Sequence, residues 1–132
     1  MEIERASFEP SEIFPADQFQ FYLNKFREGF FVAEDFSDKI VAYAILACAP
    51  TTGYILSIAV HPQKRNQGVA SDLLDFLESK CQEKGISKIR LDVRTDNLPA
   101  IRLYRKLGLL PHRVKKNFYG KGSDGILMEK PV

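Results

Sequence analysis

The segment Ile58-Ala59-Val60-His61-Pro62-Gln63-Lys64-Arg65-Asn66-Gln67-Gly68-Val69-Ala70-Ser71-Asp72-Leu73-Leu74 constrains this chain more than any other. An apolar run ends at a proline turn, passes through a basic stretch with one glycine, and enters an amphipathic helical pattern. The first N–H groups of such a helix lack intrahelical partners and lie at the positive end of the macrodipole. A glycine at the entrance lets an anion approach the main chain, and Lys64 and Arg65 add cationic side chains beside it. No Gly-Lys-Ser/Thr follows the glycine, so this is not a Walker loop. The two further glycines of a dinucleotide-binding fingerprint are absent as well. On this stretch alone, an ordinary strand-turn-helix with a basic surface loop stays open as the alternative.

The helix behind the loop is well specified. Ala70, Leu73, Leu74, Leu77 and Cys81 form one stripe, and Gly85 supplies the stop. Ser87 to Arg94 alternates as a strand, with Ile89, Leu91 and Val93 on one face and Arg90, Asp92 and Arg94 on the other. A second helix opens around Asn97 with Pro99 in its first turn, where a missing N–H costs nothing, and ends at Gly108. Ile101, Tyr104 and Leu107 are its expected buried face. Upstream, Glu2 to Ala6 reads as an edge strand and Ser7 to Pro15 as irregular. Ala16 to Arg27 reads as an aromatic-rich helix, through Phe19, Tyr22, Leu23 and Phe26. Phe30 to Glu34 and Lys39 to Ala49 read as strands joined by a polar turn, and Gly53 to Val60 as a central strand buried on both faces. Leu110 to Phe118 and Ile126 to Glu129 are expected to close the chain as strands. The pattern is α+β around a mixed, mostly antiparallel sheet flanked by helices, in one domain spanning 1–132.

Composition fits that outline. A chain of 132 residues with 45% hydrophobic and 27% charged residues buries one core, and a net charge of +2 gives no reason to expect nucleic acid. No apolar run is long enough for a membrane span, and no secretory leader pattern is present, so a cytoplasmic protein is expected. Cys48 and Cys81 are expected as buried thiols rather than a disulfide or a nucleophile. The sequence shows no metal-ligand spacing.

Two stretches resemble those of a known family. Arg65-x-x-Gly68-x-Ala70 resembles the acyl-CoA pyrophosphate loop of the GNAT acetyltransferase superfamily. The run from Ile89 through Asp92-Val93-Arg94, Asn97 and Ala100-Ile101-Arg102-Leu103-Tyr104-Arg105-Lys106-Leu107-Gly108 resembles its RimI-type branch, which acetylates protein N-termini. Lys116-Asn117-Phe118-Tyr119 is similar to the Arg-Asn-Tyr-Tyr segment of that branch.

The resemblance implies a GNAT fold and acetyl-CoA as acetyl donor, without a metal. Main-chain groups of Ile58, Ala59 and Val60 would pair with the pantetheine arm. The loop Arg65, Asn66, Gln67, Gly68, Val69, Ala70 and Ser71 would hold the pyrophosphate, and Asn97 would bond the cofactor's amide region. Tyr104 would protonate the departing thiolate, and Asp92 stands where the branch carries a general-base Glu. Phe14 would shape the pocket for the first substrate residue, opposite Asn117 and Tyr119. The residues allow simpler roles too: Tyr104 as core, Asn97 as helix cap, and Asp92 in an ion pair with Arg90 and Arg94.

Protonation chemistry favours one acceptor. An α-amine with pKa near 7.8 is roughly 10–15% neutral at pH 7, and a lysine near 10.4 is below about 0.1%. The expected partner is therefore a protein or peptide N-terminus, used in direct transfer by a monomer or homodimer. Acetylation of a small polyamine-like molecule and an inactive CoA-binding sensor are the alternatives.

Overall fold

The computed structural model describes residues 8–9, 19–24, 29–35, 37, 39–62 and 68–132, with backbone alone for 8–9 and 19–24. The chain forms two compact units, 1–47 with 55–80 and 48–54 with 81–132.

In the first unit the strand order is β1 (Phe8–Glu9), β2 (Phe19–Asn24), β3 (Phe30–Asp35), β4 (Ile40–Cys48) and β5 (Thr52–Val60). The expected helix over Ala16 to Arg27 is corrected here, because Phe19–Asn24 pairs antiparallel with β3, Tyr22 opposite Val32. Phe19, Phe21 and Leu23 also alternate at period two, and aromatic residues favour a pleated surface. In so short a segment the pairing with β3 outweighs a three-and-four spacing. Phe8–Glu9 pairs with β2 instead of being irregular. The strand expected over Glu2 to Ala6 lies outside the described residues.

The turn after β3 forms as the polar residues require. Asp35 Oδ1 accepts from Ser37 N at 2.8 Å and Lys39 N at 3.1 Å. Gly29, at φ 77, directly precedes β3; its carbonyl accepts from Leu46 N at 2.8 Å, and a Cβ there would run into the Leu46 carbonyl oxygen. β5 is not buried on both faces as expected. Thr52, Gly53 and Ile55 are buried, but Leu56 is 66% exposed.

Helix α1 (Val69–Glu83) begins in the first unit. Leu73, Leu74, Leu77 and Cys81 are buried as the stripe requires, and Val69 and Phe76 join them. Each such side chain contributes about 1.5–3 kcal/mol by leaving water. Phe76 meets Phe31 edge-on at 5.2 Å between ring centroids, which fixes the first turns of α1 against β3. Gly85, at φ 73, ends the helix.

The second unit orders the start of β5, β6 (Lys88–Arg94), β8 (Gly125–Pro131) and β7 (Leu110–Lys115). Thr52, Gly53 and Tyr54 run parallel to β6, whereas β6–β8 and β8–β7 are antiparallel. Ile89, Leu91 and Val93 are buried and Arg90 and Asp92 half-buried, the alternation read from the sequence. Pro111, which has no N–H to give a ladder, sits on outer strand β7 beside a register shift. β7 ends at Lys115, so residues 116–119 form a turn where strand was expected. Helix α2 (Leu98–Lys106) has no fully buried residue, and Ile101, Tyr104 and Leu107 are half-buried. Of the cysteines, Cys81 is buried and Cys48 exposed, both as free thiols.

Candidate active site

The predicted site residues fall in both units. In the first, Gly68 holds φ 81, a conformation that glycine adopts without strain, directly before Val69 opens α1. Among the described residues, a Cβ on Gly68 would meet nothing within 4 Å. Its carbonyl accepts from Asp72 N at 3.0 Å, which closes the first helical turn. Val69 is buried and anchors the entrance, with Ala70 half-buried and Ser71 exposed. This glycine-led N-terminus fits a phosphate-bearing cofactor. Ile58, Ala59 and Val60 are the last residues of β5. Arg65, Asn66, Gln67 and Phe14 lie outside the described residues.

In the second unit, Asn97 caps α2. Its side-chain oxygen accepts from Ala100 N at 3.2 Å, and this bond uses only the oxygen of the carboxamide. Tyr104 lies two turns on. Burial and the neighbouring Tyr119 phenol hold its hydroxyl above the ordinary tyrosine value of 10.0, so it stays protonated at neutral pH. Tyr119 is raised as well, by burial and by the carboxylate of Asp92, against an opposing pull from Arg94. Asp92 thus acts electrostatically on Tyr119, and Tyr119 on Tyr104.

Asp92 does not take the alternative of an ion pair with Arg90 and Arg94 on its own strand. Lys115 Nζ from β7 stands 3.0 Å from Asp92 Oδ1. Arg90 turns to Glu129 at 3.2 Å, and Arg94 stacks on the Tyr119 ring at 4.9 Å. Glu129 also faces Lys88 at 3.8 Å and His112 at 3.5 Å, so this acid is committed to cations.

Gly125 leaves room for the aromatic turn beside Lys115. It lies on β8 between Arg94 and Lys115 in register, and it puts no side chain in that row. A Cβ there would meet Tyr119 Cε2 at 3.1 Å and Phe118 Cβ at 3.3 Å. The aromatic turn thus folds down over β8, with Phe118 and Tyr119 edge-to-face at 4.9 Å and Lys115 Nζ 4.6 Å from the Phe118 ring. Asn117 builds that turn: at φ 55, its N–H donates to Asp124 Oδ1 at 2.9 Å and its own Oδ1 accepts from Gly122 N at 2.8 Å. Lys115 is not among the site residues read from the sequence. The one available signal is a cation and a glycine placed symmetrically across two closing strands.

Among the described residues no three metal-ligating side chains gather, and no helix is long and apolar enough to cross a membrane. The acetyltransferase (GNAT) family model matches residues 1–109. An N-α-acetyltransferase of Sulfurisphaera tokodaii is 33% identical over 134 aligned positions, covering 92% of this chain and 80% of that protein. The ribosomal protein bS18-alanine N-acetyltransferase of Escherichia coli is 31% identical over 97 positions, 71% of this chain and 66% of its own length. The crystal structure of Ard1 from Thermoplasma volcanium superposes with a TM-score of 0.72 at 34% identity, covering 80% of this chain and 71% of that one. With a glycine-led helix entrance, a protonated tyrosine on α2 and a carboxylate on β6, the chain belongs to the GNAT acetyltransferase family, and is an α+β acetyl-CoA-dependent N-acetyltransferase.

Proposed function

We propose that the acceptor is the N-terminal α-amine of a protein or peptide, acetylated by direct transfer, and that residues 1–132 act in this as one domain. The reading is supported by two groups in the second unit, the Asp92 carboxylate on β6 beside Lys115 and the protonated Tyr104 phenol on α2. Acetyl-CoA supplies an acetyl thioester whose thiolate leaves. Gly68, Val69, Ala70 and Ser71 hold its phosphates by their amides, with Arg65, Asn66 and Gln67 completing the loop. The backbone of Ile58 to Val60 and the carboxamide of Asn97 align the arm. Tyr104 gives its hydroxyl proton to the departing sulfur. Asp92, directly or through a water, takes the proton that the amine must lose.

The state of Asp92 argues for an α-amine. Its carboxylate is already engaged by the Lys115 ammonium at 3.0 Å, which leaves less of it free to receive a second cation. An α-amine needs little help near neutral pH, and a lysine ε-amine needs a great deal. A relative named an N-α-acetyltransferase at 33% identity and one named a ribosomal protein bS18-alanine N-acetyltransferase at 31% support the same acceptor. A polyamine would call for uncommitted acids, yet Glu129 and Asp92 are both occupied by cations. Phe14, Asn117 and Tyr119 would line the pocket for the first residue of the substrate. Two free thiols suit cytoplasmic residence.

Incubation with acetyl-CoA and peptides that carry both a free N-terminus and an internal lysine tests the reading. Tandem mass spectrometry should find the acetyl group on the α-amine. Acetylation of lysine, or of spermidine in preference to every peptide, overturns it.

A further inference from the structure

The charges of this chain are sorted along it. The second unit carries twelve Lys and Arg against five Asp and Glu, whereas the first carries seven against twelve. The acids of the second unit are largely used internally. Asp92 holds Lys115, Glu129 faces Lys88, Arg90 and His112, and Asp124 Oδ1 accepts from Asn117 N. Around α2 and β7, six cations remain exposed and without an acidic partner among the described residues: Arg102, Arg105 and Lys106 on α2, Arg113 on β7, and Lys116 and Lys121 in the turn that follows. α2 packs against β7, so these cations belong to neighbouring elements. Lys116 and Lys121 flank the Asn117–Tyr119 segment, and α2 is the helix that presents Tyr104.

From this we infer that the site selects acceptor peptides whose residues two to five are acidic, the six cations forming a collar that the chain behind the reacting amine must cross. The inference rests on the α-amine reading above and names the substrate class for it. The Asp or Glu residues behind the reacting amine meet the collar, so an acidic N-terminal segment matches its field. Single-stranded RNA fits the collar less well. Base stacking needs open ring faces, and Phe118 and Tyr119 already carry Lys115 and Arg94 on theirs.

The test is a set of peptides with one common first residue and either Asp/Glu, Ser/Gly or Lys/Arg at positions two to five, assayed for kcat/KM at 50 mM and 0.5 M salt. Acidic peptides should exceed basic ones by about tenfold at low salt and by about twofold at high salt, because exposed charge pairs are individually weak and screened. The triple variant R113E/K116E/K121E should reverse the order, with KM for acetyl-CoA unchanged. Equal use of acidic and basic peptides overturns the collar and leaves the α-amine reading standing. Failure to acetylate the α-amine of any peptide removes that reading and the collar with it. Inhibition of wild type by polyuridylate at lower concentration than by the acidic peptides, lost in the triple variant, makes the face a nucleic-acid site and overturns the peptide assignment.

Discussion

Lys115 Nζ sits 3.0 Å from Asp92 Oδ1, reaching from β7 across Gly125 of β8 to β6. The ammonium thus lies on the carboxylate that the proposed mechanism uses, with the Phe118 ring 4.6 Å away. It occupies the same chemistry that would recognise an acceptor ammonium. Lys115→Met should lower the peptide KM several-fold and change kcat less. Both side chains are about a quarter exposed (26% and 25%), so the pair contributes about 1 kcal/mol or less to stability. Steady-state kinetics and urea unfolding check the two halves. A raised KM would mean that Lys115 helps to seat the peptide.

Tyr104 is held protonated by burial and by the Tyr119 phenol. Tyr104→Phe should lower kcat by roughly 10²–10⁴ with acetyl-CoA affinity nearly kept. A raised phenol pKa favours the proton-bound form in the folded state. Its contribution to stability is therefore complete below the ordinary value of 10.0 and is lost as pH rises through the higher folded value. The alkaline limb of kcat assigned to this group should accordingly lie above pH 10. Full turnover by the Phe variant would leave Tyr104 as a packing residue.

Gly125 and the aromatic turn depend on each other. Gly125→Ala places a methyl 3.1–3.3 Å from Tyr119 and Phe118, and such overpacking costs about 1–3 kcal/mol. The turn should lift, raising the peptide KM while acetyl-CoA affinity holds. Calorimetry for acetyl-CoA alongside peptide kinetics separates the two effects. Loss of acetyl-CoA affinity in this variant would contradict the division of roles.

Much of the second half of the chain is legible in the sequence because its signals are local. The Ile89/Leu91/Val93 alternation marks β6, Asn97 with Pro99 marks the start of α2, and Gly85 and Gly108 mark the helix ends. β2 is not legible in this way, because Phe19, Phe21, Tyr22 and Leu23 suit a helical and a pleated period alike, and pairing with β3 is a long-range fact. The exposure of Leu56 and Cys48 likewise depends on what packs nearby, which hydrophobicity alone does not specify. In the site, residue types are readable and partners are not. Asp92 has two arginines on its own strand face, yet its cation comes from a strand two places away in the sheet.

Gly68 comes with an internal control for the cofactor loop. Gly68 and Gly85 both hold positive φ, 81 and 73, and at either position a Cβ would find nothing within 4 Å among the described residues. An aspartate at either position carries similar backbone strain, of order 1–3 kcal/mol. Only Gly68→Asp puts a carboxylate at the entrance of α1, where the proposed loop would take the phosphates. Isothermal calorimetry should find acetyl-CoA binding lost in Gly68→Asp and kept in Gly85→Asp. Equal affinity in both would remove the loop assignment.

The most direct test of the α-amine mechanism is kcat/KM against pH from 6.5 to 9, for wild type and Asp92→Asn, with peptides whose N-termini are free or blocked. If Asp92 serves only to take a proton from an α-amine, the deficit of the Asn variant should be largest near neutral pH. It should shrink above about pH 8, where the substrate deprotonates unaided, and blocked peptides should remain unused throughout. A deficit constant across the range would remove Asp92 as the base, and equal use of blocked peptides would contradict acetylation of the N-terminus altogether.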